Sequence, residues 1–192
     1  MDAGKVIELW EEQDFLDGLK KHSIRVAAMA LFISDKFIEE GKKVDKELVK
    51  YGGLLHDIGK MHNIKGIDHK SHSDIGKEIL LKKGYPKLAS IAYEHFINFI
   101  VDRNFTLIES EMVAVADCLA NPEGFVTFKR RMEYGKRANP QFIEVFIKGE
   151  KILKDYFKRL FDDEENFKKI ISRLTEKLDF KNKTYKELIE DL

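Results

Sequence analysis

The chain is short of residues that often fix a fold: it has one cysteine, three prolines and one tryptophan among 192 residues. The lone thiol, Cys118, excludes an internal disulfide framework, and its apolar neighbours give it a packing role. An excess of one charge is missing too. Thirty-four Lys and Arg residues balance thirty-four Asp and Glu, so no overall field draws the chain to a membrane or a nucleic-acid polymer. Any anion has to be bound by a local patch. No apolar run is long enough to span a bilayer, and the acidic stretch from Met1 to Asp17 lacks the basic-then-apolar order of a secretory signal. The expectation is a cytoplasmic protein of one ordinary domain, large enough to bury a core without disulfides or a structural metal.

Strand-like alternation is also scarce, whereas apolar residues recur three and four positions apart, so the fold class is all-α. A long helix is expected from Leu19 to about Glu40, stopped by Gly41, with His22, Val26, Met29, Ala30, Ile33 and Phe37 on one face. A second starts near Asp45, turns Leu48, Gly52, Leu55 and His56 inward, and ends where Gly59 takes a left-handed conformation. Residues 61–70 have no helical period and read as a loop. Ser71 and Asp74 have capping-box spacing, which starts a helix with His72 in its first turn and Gly84 as its stop. Pro86 opens the next, placing Leu88, Ile91, Ala92, His95 and Phe99 on one stripe. Thr106 and Glu109 repeat the capping box before a helix that aligns Val113, Ala114, Asp117 and Ala120 and closes at Asn121-Pro122.

One histidine on an apolar face is usually a hydrogen-bonded core residue. Here His22, His56 and His95 fall inward on three separate helices, Asp117 falls inward on a fourth, and Asp57 and His72 sit beside helix ends. Several buried imidazoles and carboxylates converging on one core are best satisfied by a cation. His69, three residues from His72, lacks the capping box and the Gly76 partner that single out His72, and His62 reads as a loop residue. Glu94 points about 100° away from His95 on a helix, which suits a supporting or surface role.

The order His22 in "HSIRVA", "LLHDIGK" over Leu54–Lys60 and Asp117 in "VADCLA" resembles the HD-domain metal-dependent phosphohydrolase superfamily. The likeness covers roughly residues 18 to 122. "HSDIGKEIL" and "IAYEHF" resemble that family's additional histidine helices, and "VADCLANPE" is closer to the bacterial symmetrical diadenosine tetraphosphate hydrolases than to cyclic-dinucleotide phosphodiesterases. The resemblance implies an HD-domain helical bundle, set at residues 1–122, and the helical patterning of 123–192 adds C-terminal helices expected to pack on it as one domain. It also implies that His22, His56, Asp57 and Asp117 hold one metal, while Asp57 bridges to a second held by His72 and His95. Mixed imidazole and carboxylate donors suit Fe, Mn, Zn or Ni better than magnesium.

By the same resemblance the activity is hydrolysis of a phosphoester or phosphoanhydride in a nucleotide or dinucleotide by metal-activated water, with Asp57 and Lys60 as catalytic residues. Lys60 could reach a phosphate oxygen or pair with Asp57, and Arg25 is a second candidate for phosphate contact against a surface salt bridge. The cluster Lys129, Arg130, Arg131, Lys136 and Arg137 could close over a polyphosphate, although a solvated face is the simpler reading. The C-terminal helices, Gln141–Asp162 and one through Phe167 and Leu178, read as scaffold or homodimer surface. A one-metal 5′-nucleotidase and a non-catalytic metal-binding sensor are the alternatives.

Overall fold

The computed structural model describes residues 1–192 as an all-helical fold. Twelve helices follow in order: α1 (Ala3–Glu12), α2 (Asp17–Glu39), α3 (Lys46–Leu55), α4 (Lys60–Ile64), α5 (His72–Lys82), α6 (Pro86–Glu94), α7 (Ile97–Asp102), α8 (Ile108–Asp117), α9 (Phe128–Ala138), α10 (Ile143–Phe161), α11 (Glu164–Lys177) and α12 (Tyr185–Glu190). The only strand-like feature is an isolated bridge between Ala120 and Phe125. No helix is long and apolar enough to cross a membrane.

The centre of the bundle is α2 packed against α3 and α8, with α6 and α5 layered on α3. Close approach of α3 to α2 depends on Gly53, where a Cβ would lie 2.6 Å from the Ala27 Cα. Trp10, fully buried on α1, donates its indole N–H to the Leu54 carbonyl at 3.1 Å and stacks on Phe15. Its ring edge also meets Tyr185, whose hydroxyl bonds Asp17, so the first and last helices close on one another. In the C-terminal half α9 packs on α10, and α10 packs on α7. Phe161 of α10 stacks on Phe32 of α2 at 5.7 Å. All but two of the buried apolar side chains, Ile75 and Val126, form one cluster running from Ala3 to Ile189.

Several local expectations need correcting. Gly59 is right-handed (φ −82°, ψ −7°), and it is a glycine because a Cβ there would fall 2.2 Å from the His72 carbonyl oxygen. Residues 60–64, read as loop, form the short α4. The helix opened by Pro86 ends at Glu94, so Phe99 belongs to α7 and shares no stripe with His95. Thr106 does not cap α8: its hydroxyl and N–H both go to the buried Glu94 carboxylate, while Glu109 accepts the N–H of Asp45 at 2.9 Å. Those two residues have capping-box spacing but serve long-range bonds instead. At α5 the expectation holds, with Ser71 accepting from the Asp74 N–H. Gly41 and Gly84 take the positive φ that a stop requires.

Candidate metal centre

Three helices direct their C-terminal ends at one place. His56 follows the last residue of α3, His95 follows the last residue of α6, and Asp117 is the last residue of α8. The unpaired carbonyls at these ends carry partial negative charge, which favours a cation between them. Both histidines are fixed in the same way. The Nδ1 of His56 lies 2.8 Å from the Gly53 carbonyl, and the Nδ1 of His95 lies 2.8 Å from the Ala92 carbonyl. A carbonyl oxygen only accepts, so each Nδ1 carries the proton and donates it. Each Nε2 is then aimed into the bundle.

The donors form two groups, His22 with His56 and Asp117, and Asp57 with His72 and His95. Within the first, His22 Nε2 is 2.9 Å from Asp117 Oδ1, and His56 Nε2 is 3.7 Å from the same oxygen. Within the second, Asp57 Oδ1 lies 3.2 Å from His72 Nε2 and 3.6 Å from His95 Nε2, and the two imidazole nitrogens are 3.1 Å apart. The other oxygen of Asp57, Oδ2, faces the first group, 3.7 Å from His22 Nε2 and 3.6 Å from His56 Nε2. One carboxylate thus presents a different oxygen to each group.

These spacings fit a cation. Donors about 2.1 Å from a shared transition metal stand about 3.0–3.4 Å from one another. Three of the separations here, 2.9, 3.1 and 3.2 Å, lie in or beside that range, and the other four are 3.6–3.7 Å. The buried Nε2 of His56, the ring nitrogen that faces Asp57 and Asp117, has no hydrogen-bond partner, a costly state for a buried polar atom. Electrostatics point the same way. Burial opposes charge on Asp57, but Lys60, His56 and His72 outweigh it and hold the carboxyl well below its usual range. Asp117 is likewise held well down against burial by Arg131, His22 and His56. Burial alone would lower His56, yet Asp57 and Asp117 raise it, so the two carboxylates call for positive charge at that ring. Burial, with the neighbouring His56 and His72, pushes His95 down to about 3, leaving a neutral imidazole.

Lys60 Nζ pairs with Asp57 Oδ2 at 2.8 Å. Arg25, considered for phosphate contact, instead donates to the Pro122 carbonyl at 2.7 Å and stacks over Phe180, fastening α2 to the C-terminal segment. His69 is exposed, and His62 sits by Gln13 at 3.2 Å, outside both groups. Of the supporting or surface role expected for Glu94, the structure gives the supporting one: it is buried, and its carboxylate accepts from the N–H and hydroxyl of Thr106. Arg131 was one of five clustered cations and here lies 3.2 Å from Asp117 Oδ2. Cys118, beside Asp117, is buried with its thiol pushed up to about 12 by desolvation, which leaves it inert.

Comparison with known proteins gives the same stretch a lineage. Proteins named ribonuclease Y from Pseudothermotoga lettingae and Bacillus subtilis are 36% and 37% identical over 123 and 124 residues. These matches cover 58% and 59% of this chain but 21% of each relative, so the chain spans about a fifth of their length. An uncharacterized protein of Methanocaldococcus jannaschii is 39% identical over 80 residues, covering 41% of this chain and 45% of that protein. None of these is named as a diadenosine tetraphosphate hydrolase. No solved structure matches significantly. Residues 19–121, more than half of the chain and including all six donors, match the HD domain, and the chain belongs to the HD domain family.

Proposed function

We propose that the protein is a metal-dependent phosphohydrolase that cleaves a phosphoester or phosphoanhydride of a nucleotide or dinucleotide at a two-metal site. The observation that carries this reading is Asp57, whose two oxygens face two separate donor groups at 3.2–3.7 Å. A divalent transition metal bound there supplies Lewis acidity and makes water nucleophilic near neutral pH. The donor set of four imidazoles and two carboxylates suits Fe, Mn, Zn or Ni.

The chain's own residues supply the rest. The Nδ1–H bonds of His56 and His95 hold both rings in the tautomer that leaves Nε2 free as a donor. Lys60 keeps Asp57 ionised and oriented, and its side chain is about one-third exposed, within reach of an arriving phosphoryl oxygen. Burial of His22, His56, Asp57 and His95 limits bulk water in the centre and strengthens each electrostatic contact there.

The name shared by several relatives favours a phosphodiester of RNA as a second reading of the substrate. One screen tests both. Protein supplied separately with Mn, Fe, Zn and Ni would be offered mononucleotides, dinucleoside polyphosphates, cyclic dinucleotides and short RNA, and released phosphate or nucleotide would be measured. Turnover abolished by Asp57→Ala supports the enzyme reading. Inactivity of the wild type with every metal would leave the sensor alternative.

A further inference from the structure

Arg131 lies beyond the stretch that matches the HD family, which ends at residue 121, yet it reaches the donor groups. The reason is local. Phe128, Met132 and Gly135 form the buried face of α9, and Arg131 lies at its margin. Lys129, Arg130 and Arg137 are on the exposed side, and Lys136 pairs with Glu150. Of the five basic residues clustered here, Arg131 is the one that touches the centre.

Exposure separates ligands from rim. The side chains of His22, His56, Asp57 and His95 are at most 4% exposed and those of Asp117 and His72 13% and 20%, whereas those of Lys60 and Arg131 are 35% and 29% exposed. These two cations each take the Oδ2 of one carboxylate, Asp57 or Asp117. They therefore stand between the donor groups and solvent. With neutral imidazoles, Asp57, Asp117, Lys60 and Arg131 sum to zero charge. One divalent cation leaves the centre at +2 and two leave it at +4, so a loaded centre requires an anionic ligand. The Arg131 guanidinium has five N–H donors, and one is used on Asp117.

We propose that Lys60 and Arg131 form an anion clamp at the mouth of the centre, with Arg131 holding a non-bridging oxygen of the phosphoryl group. The C-terminal helices then complete the site as well as support it. This rests on the phosphohydrolase reading. The chemistry recognised is a phosphoryl oxyanion, which a terminal phosphate and an internal phosphodiester both present.

The test uses the full chain loaded with Mn2+, titrated calorimetrically with inorganic phosphate, 5′-AMP and the dinucleotide ApA. Arg131→Gln should weaken anion binding about tenfold or more, the range of a lost charge-assisted hydrogen bond, with metal content unchanged. Arg131→Lys should fall between, because it keeps the charge but loses the fork, and it serves if the Gln variant does not fold. Arg130→Gln, on the exposed face, should bind as wild type. Preference for 5′-AMP over ApA would assign a terminal phosphate, and the reverse an internal diester. The clamp is overturned if wild type binds none of the three, if Arg131→Gln binds them unchanged, or if that variant loses its metal and Lys restores it. Arg131-dependent binding without turnover of any substrate would sink the phosphohydrolase reading and leave the clamp. Turnover at wild-type KM in Arg131→Gln would do the opposite.

Discussion

The residue on which the centre turns is Asp57. It is the one side chain facing both donor groups, so its loss differs from that of any other ligand. Asp57→Asn should strip metal from both groups, whereas His95→Ala should empty only the group of Asp57, His72 and His95 and halve the metal content. Elemental analysis of dialysed protein measures both. An unchanged metal content in His95→Ala would mean that the second group holds no ion. His22, His56, His95 and Asp117 stood out in the sequence because polar residues inside helical apolar stripes are conspicuous, and Asp57 and His72 through their places at helix ends and in the motifs. Lys60 was legible from its motif. Arg131 was not, because a basic run such as Lys129 to Arg131 does not reveal which member turns inward.

At the scale of elements, glycines set how closely helices approach. Gly59→Ala should displace the α5 start that carries His72, since the new methyl would overlap the His72 carbonyl. Reduced metal affinity with the helical circular dichroism signal retained is the expected result. Gly53→Ala presses α3 off α2 and should cost about 1–3 kcal/mol, read from the urea midpoint. Thr106→Val leaves the buried Glu94 carboxylate short of its bonded hydroxyl and should cost about 1–3 kcal/mol by the same measurement. Helix existence was readable from the 3.6-residue period, and stops at Gly41 and Gly84 from turn chemistry. The end of α6 at Glu94 and the diversion of Thr106 were not, because a distant partner outbids a local cap.

Across the whole molecule, residues far apart in the chain close one core. Trp10 sits where α1, α3 and α12 meet, so its fluorescence reports that junction. Urea unfolding followed by Trp10 fluorescence and by far-ultraviolet circular dichroism should give coincident transitions, because the apolar cluster is continuous from Ala3 to Ile189. Separate transitions would show that the C-terminal helices are an independent unit.

A second long-range tie is Arg159 on Glu40, which joins α10 to the end of α2. The hydrogen bond from Arg159 holds the Glu40 carboxyl below its ordinary 4.5, so its stabilisation is present above that pH and fades as pH falls through the lower folded value. Both side chains are more than a third exposed, so the pair is worth about 0.2–1 kcal/mol. The stability gap between wild type and Glu40→Gln should be constant near neutrality and close in acid. A gap that widens on acidification would refute this.

The sequence by itself determined that the chain is helical, which helix faces are apolar, and which six side chains are the metal donors to consider. Those properties follow from local periodicity and from residue chemistry. The bridging place of Asp57 came with the motif resemblance; only the tertiary structure decided that Arg25 turns to Pro122 and that Arg131 turns to Asp117. Distances across 14 to 97 residues of chain depend on how helices pack, and packing is set by the whole core at once.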